Sequence, residues 1–89
     1  MFLKLAKVKL LGSLAKLPSG ARLSQETLEG NVPVSRVISL LKEKHNLEVK
    51  RESVLILVNG IEVRALEDLQ TVVGDRDEVV LIPMYHGGA

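Results

Sequence analysis

The stretch Val54-Leu55-Ile56-Leu57-Val58-Asn59-Gly60-Ile61-Glu62-Val63-Arg64 restricts the fold more than any other part of the chain. Its β-branched valines and isoleucines favour extended backbone, and Asn-Gly supplies two residues that tolerate positive φ, as a tight hairpin turn requires. The run predicts two antiparallel strands joined at Asn59-Gly60. An isolated hairpin is marginal in water, so other elements must cover it.

The covering element is legible upstream. Val34, Val37, Ile38 and Leu41 stand at i, i+3, i+4 and i+7 and form one apolar stripe, so residues 33–45 predict an amphipathic helix with Arg36, Ser39, Lys42 and Glu43 on its polar face. Pro33 suits the first turn. Lys42, Lys44 and His45 meet the negative end of the helix dipole, and Asn46 suits a left-handed stop. His45 is read as this dipole partner and not as a metal ligand, because it has no second ligand at a suitable spacing.

The remaining elements are strands and turns. Residues 3–11 alternate imperfectly, with Leu3 and Leu5 on one parity and Val8 and Leu10 on the other, which a bulge or a start near Ala6 would reconcile. After Gly12-Ser13 and Pro18-Ser19-Gly20, residues 21–28 read as a second strand. Leu66 to Val73 is expected to hold a short helical turn with Leu66 and Leu69 inward. Gly74-Asp75-Arg76-Asp77 reads as a turn and Glu78 to Ile82 as a final strand stopped by Pro83. The order strand, strand, helix, hairpin, short turn, strand implies an α+β fold, a mixed sheet packed on one main helix. The β-grasp, or ubiquitin-like, architecture has this order, with residues 1–83 as the domain and 84–89 as a flexible tail.

Composition narrows the function. The chain has 89 residues, room for one domain, and only 2% aromatic residues, so Leu, Val and Ile must form the core. The absence of cysteine removes disulfides, thiolate nucleophiles and cysteine-based metal sites, and fits a reducing cytoplasm. Lys4, Lys7 and Lys9 interrupt the first apolar stretch before it reaches signal-peptide or membrane-span length, so no membrane association is expected. The net charge of +1 hides an asymmetry: Lys4, Lys7, Lys9, Lys16 and Arg22 open the chain without an acid, whereas Glu62, Glu67, Asp68, Asp75, Asp77 and Glu78 crowd a later stretch. Such a distribution can orient a protein partner, or can be ordinary solvated surface. Without a basic helix or aromatic stacking platform, nucleic-acid binding is not expected.

No catalytic constellation is visible. Ser13, Ser35 and Ser53 lack a triad context, and no glycine-rich phosphate loop occurs. The chemistry is expected at the end of the chain, Met84-Tyr85-His86-Gly87-Gly88-Ala89. Met84 to Gly88, fully extended, would reach roughly 17 Å past the last strand. Two glycines let the backbone lie against a nucleotide pocket and leave the carbonyl open to a nucleophile. His86 would contact the partner that handles it, and Tyr85 and Met84 would either pack on that partner or cover the sheet edge.

Val8-Lys9-Leu10-Leu11-Gly12-Ser13-Leu14, the helix from Val34, Val58-Asn59-Gly60, and Gly74-Asp75-Arg76-Asp77-Glu78-Val79 through Pro83 to Gly87-Gly88 resemble the sulfur-carrier family. That family includes the molybdopterin-synthase small subunit, the thiamine-pathway sulfur carrier and the ubiquitin-related modifiers. The resemblance implies a β-grasp fold, no catalysis by the chain itself and no bound cofactor. It implies a ubiquitin-activating-type partner that adenylates Gly88 with ATP and magnesium, giving a thiocarboxylate or an acyl-enzyme thioester. A sulfur donor would supply the sulfur of the thiocarboxylate, and target-protein lysines or a synthase large subunit would then receive the acyl or sulfur group. The chain departs from the family where Arg76 replaces the glycine of Asp-Gly-Asp-Glu-Val, where Met84 follows a single proline, and where Ala89 follows Gly88. Ala89 would place the carboxylate about 3.5 Å too far, so either a processing peptidase cleaves between Gly88 and Ala89 or Ala89 is not part of the native chain. Two alternatives stand beside the carrier: the small subunit of a molybdopterin-type synthase, and a β-grasp binding module with an inert tail.

Overall fold

The computed structural model describes residues 5–84. Seven strands and one α-helix follow in the order β1 (Leu5–Leu10), β2 (Gln25–Glu29), β3 (Val32–Pro33), α1 (Val34–His45), β4 (Val54–Val58), β5 (Ile61–Glu62), β6 (Val72–Val73) and β7 (Glu78–Pro83). The main sheet has the order β2-β1-β7-β4-β5, and β3 and β6 form a separate antiparallel pair. β1 and β7 are parallel, with Val8 beside Val79 and Leu10 beside Leu81, while β4 runs antiparallel to β7 and β2 to β1. The sheet is therefore mixed, as the element order implied, and its last strand occupies its centre.

Helix and sheet meet through the expected stripe. Val34, Val37 and Leu41 are fully buried against Val8, Leu10, Ile56, Val79 and Leu81, and Ile38 lies at the margin. The core is aliphatic throughout the described residues. Pro33 caps the helix without a side-chain acceptor, and the Val34 N–H instead donates to the Thr71 carbonyl at 2.9 Å, so the loop before β6 satisfies one orphan donor of the first turn. Asn46 has φ 54°, and its N–H and that of Leu47 turn back to the Lys42 and Leu41 carbonyls. His45 behaves as structure, its Nε2 lying 2.9 Å from Glu26 Oε2 of β2, while Lys44 Nζ lies 3.1 Å from the other oxygen.

One expectation is resolved and two change. Of the two readings of residues 3–11, the one without a bulge holds: over Leu5–Leu10, Ala6, Val8 and Leu10 face inward, and Leu5 belongs to the outer parity. β2 starts at Gln25 and not at Ala21, because Lys16 pairs with Arg22 and the Leu17 N–H bonds the Ala21 carbonyl, closing a small loop of its own. That loop follows a 3-10 turn, Gly12–Ala15, whose Leu14 and Ala15 enter the core together with Leu17. After β5, Val63 does not continue the strand; Val63–Ala65 is a 3-10 turn whose Arg64 N–H donates to the Glu62 carboxylate. Val63 takes the buried place, Leu69 is only partly covered, and Leu66, expected inward, is 40% exposed.

Candidate functional site

The chain leaves the sheet at the end of β7, between two neighbours that stop at different heights. On one side β4 continues: Val54 pairs with Pro83, and the Met84 N–H donates to the Ser53 carbonyl at 2.9 Å. On the other side β1 has already ended. The Leu11 N–H bonds the Leu81 carbonyl at 3.1 Å, and Gly12 then turns away at φ +55°. Pro83 was expected to stop the strand and instead belongs to it. Amides along a strand point to alternate sides, so with Met84 directed at β4 the missing Pro83 N–H falls on the side that β1 has vacated. The proline costs no ladder bond there.

Gly12 makes that arrangement possible. A Cβ at Gly12 would sit 3.1 Å from Pro83 Cγ, and its φ already disfavours any other residue. Close approach of the Gly12 backbone to the Pro83 ring thus defines one wall of the exit, and Ser53 the other.

Beside the exit lies an apolar sheet face. β4 alternates between buried Val54, Ile56 and Val58 and half-buried Leu55 and Leu57, and β7 alternates in the same way between Val79 and Leu81 and half-buried Val80 and Ile82. Leu55 stands opposite Ile82 and Leu57 opposite Val80, so the four form one patch on the face away from α1. Leu11, 42% exposed, adjoins Ile82 near the exit, and Lys9 paired with Glu78 at 3.2 Å marks the far end. The patch was not anticipated. Its signal was present in five consecutive apolar residues, Val54 to Val58, in a sheet with only one helix to cover it.

The acidic turn lies at the opposite end of β7. The Asp77 carboxylate accepts from the Gly74 N–H at 2.9 Å and from Asn59 Nδ2 at 3.0 Å, and Asn59 Oδ1 accepts from the Glu78 N–H at 2.9 Å. These bonds tie the turn to the β4–β5 hairpin. The Asn59 amide, then the Gly74 N–H, holds the Asp77 carboxyl below its ordinary range. Gly74 is confined as well, since a Cβ there would overlap Asn31 Oδ1. The turn anchors β7 at the end away from Met84.

Tyr85, His86, Gly87, Gly88 and Ala89, the residues expected to carry the chemistry, lie outside the described residues. The structure therefore places only the base of the site: Gly12, Ser53, Pro83, Met84 and the adjoining face. Among the described residues no group of three or more His, Asp or Glu could hold a metal, and Ser53 Oγ is engaged with the Lys50 carbonyl at 3.2 Å. No described helix is long and apolar enough to cross a membrane.

The helix, the mixed five-stranded sheet and the central last strand define a ubiquitin-like β-grasp protein. Residues 8–88 match the ThiS family, and the chain belongs to it. No curated protein matches the chain in sequence. Among solved structures, small archaeal modifier protein 1 (SAMP1) from Methanosarcina acetivorans is similar with 26% identity and a TM-score of 0.74, covering 99% of this chain and 100% of that one. Urm1 from Trypanosoma brucei shares 21% identity and a TM-score of 0.69 over 99% of each chain. The Amycolatopsis orientalis BexX/CysO complex contains a chain with 23% identity and a TM-score of 0.66, over 93% of this chain and 99% of that one. The fold and family are those of ubiquitin-like sulfur carriers and modifiers.

Proposed function

We propose that this chain is a sulfur carrier or small protein modifier whose reactive group is the Gly88 carboxyl, exposed once Ala89 has been removed by a peptidase. The observation that carries the reading is the family match extending through residue 88, on a chain whose β7 lies at the centre of the sheet and ends beside a half-buried apolar face. A ubiquitin-activating-type enzyme would dock on Leu55, Leu57, Val80 and Ile82 and receive Tyr85 to Gly88 in its nucleotide channel. There the Gly88 carboxylate attacks the α-phosphorus of ATP and pyrophosphate leaves, with magnesium offsetting the phosphate charge. The acyl-adenylate is then attacked at its carbonyl. Hydrosulfide displaces AMP to give a thiocarboxylate, and a lysine amine displaces it to give an amide. The chain supplies position and an unhindered carbonyl, and its partner supplies the catalysis.

The test uses the chain ending at Gly88 with the adenylating enzyme of its own genome, ATP, magnesium and sulfide. The expected outcome is a mass gain of one sulfur-for-oxygen exchange at the terminus, with none for the chain ending at Ala89. Leu57→Asp, on the outer face, is expected to lower the yield at least about 10-fold while melting within a few degrees of the parent. Absence of adenylation from the Gly88 form, with its partner active on another substrate, sinks the reading.

A further inference from the structure

The sequence asymmetry of charge becomes a polarity along the strands. At the end where β7 departs, Lys16 and Lys42 line a cleft of about 640 Å³ with Ser13, Leu17, Asn46 and Glu48. One residue of this cleft, Ser13, directly follows Gly12, whose backbone meets the Pro83 ring. Arg22 is paired through its backbone with Lys16. On the other flank, the Ser53 that holds Met84 also bonds the Lys50 carbonyl through its N–H at 3.0 Å. Lys16, Arg22, Lys42 and Lys50 are exposed and take part in no ion pair among the described residues. Glu48 and Glu52 offset part of this charge, and Asp68 is already held by Arg51. At the opposite pole stand Glu29, Asp75 and Asp77, with Arg76 and Lys7 offsetting part of their charge, around the start of β1, where the Arg76 N–H bonds the Leu5 carbonyl.

The two poles are separated by the length of β1, roughly 17 Å for a six-residue strand. That exceeds the screening length of about 8 Å at physiological salt, so a partner approaching the exit does not feel the acidic pole cancel the basic one. Counting by sequence puts Lys7 and Lys9 in the same basic block, yet the fold places them on the sheet face, with Lys9 neutralised by Glu78. The residues beside the exit are Lys16, Arg22 and Lys50 on loops and Lys42 in the last turn of α1.

We infer that Lys16, Arg22, Lys42 and Lys50 form a basic collar that steers the exit of β7 onto an acidic surface around the channel mouth of the activating partner. This rests on the function proposed above and adds the partner's charge and the contact that orders the approach. Such steering acts on association rate, and salt weakens it.

The experiment measures kcat/KM for ATP–pyrophosphate exchange on the chain ending at Gly88, with its own genome's adenylating enzyme, from about 0.05 M to about 0.5 M salt. The variant Lys16→Glu/Lys42→Glu is compared with Lys7→Glu/Arg76→Glu, which has the same net charge but is altered toward the opposite end of β1 and β7. The collar variant is expected to fall about 10-fold at low salt and less than about 2-fold at high salt, with the control near the parent throughout. Equal behaviour of the two variants overturns the collar and leaves the carrier function standing. No exchange by the unsubstituted chain overturns both. Unchanged exchange together with collar-dependent retention of transfer RNA at physiological salt overturns the protein partner in favour of a nucleic acid.

Discussion

At the scale of single residues, the turn before β7 carries one mismatch. Arg76 has φ 66°, and it stands where the family motif has glycine. Left-handed backbone costs a side-chain-bearing residue roughly 1–2 kcal/mol. Arg76→Gly is therefore expected to stabilise the protein by about 1 kcal/mol, read as a higher urea midpoint at unchanged slope. Neighbouring Asp77 gives the pH dependence. Its folded carboxyl is held below the ordinary 3.8 by Asn59 and Gly74, so its contribution is present above that value and lost as pH falls through the lower folded one. Between pH 5 and pH 2, Asp77→Asn is expected to lose less stability than the parent, measured by thermal melts at each pH. The sequence marked this turn but not its wiring, because the Asp77 bond to Asn59 spans 18 positions that only the fold brings together.

At the scale of elements, legibility followed periodicity. The helix stood out because Val34, Val37 and Leu41 repeat with its turn, and the β4–β5 hairpin because Asn59-Gly60 admits few other conformations. Where apolar residues are sparse, tertiary contacts decided. Leu66 and Val63 are similar by sequence, and the Glu62 cap on the 3-10 turn sends Val63 inward and Leu66 out. Substitution separates the two cases. Leu41→Ala, at the fully buried centre of the helix stripe, is expected to cost about 3 kcal/mol by chemical denaturation, and Leu66→Ala less than about 0.5 kcal/mol. Comparable losses at both positions would contradict the described burial. The same reasoning explains β2: with only Leu28 fully buried in it, the strand's start is set by pairing with β1, not by a pattern of its own.

At the scale of the whole molecule, the α+β class, the single main helix and the mixed sheet were legible from element order, whereas the strand order was not. Nothing local in Glu78 to Pro83 says that it will lie between β1 and β4, since a short apolar run reads alike at an edge or a centre. The exit was legible in kind, as a proline before a glycine pair, but its walls at Gly12 and Ser53 required the parallel pairing of β1 with β7. That pairing also governs when the protein can fold. Without β7, the β1–β2 pair and the β4–β5 pair have no ladder between them, and the core residues Val79 and Leu81 are missing. The strand that unites the two halves follows every other described element in the chain. A ribosome still holding residues 78–83 in its tunnel therefore presents the β1–β2 pair, the β4–β5 pair and α1 with no common sheet, and the domain completes its fold only once β7 has left the tunnel.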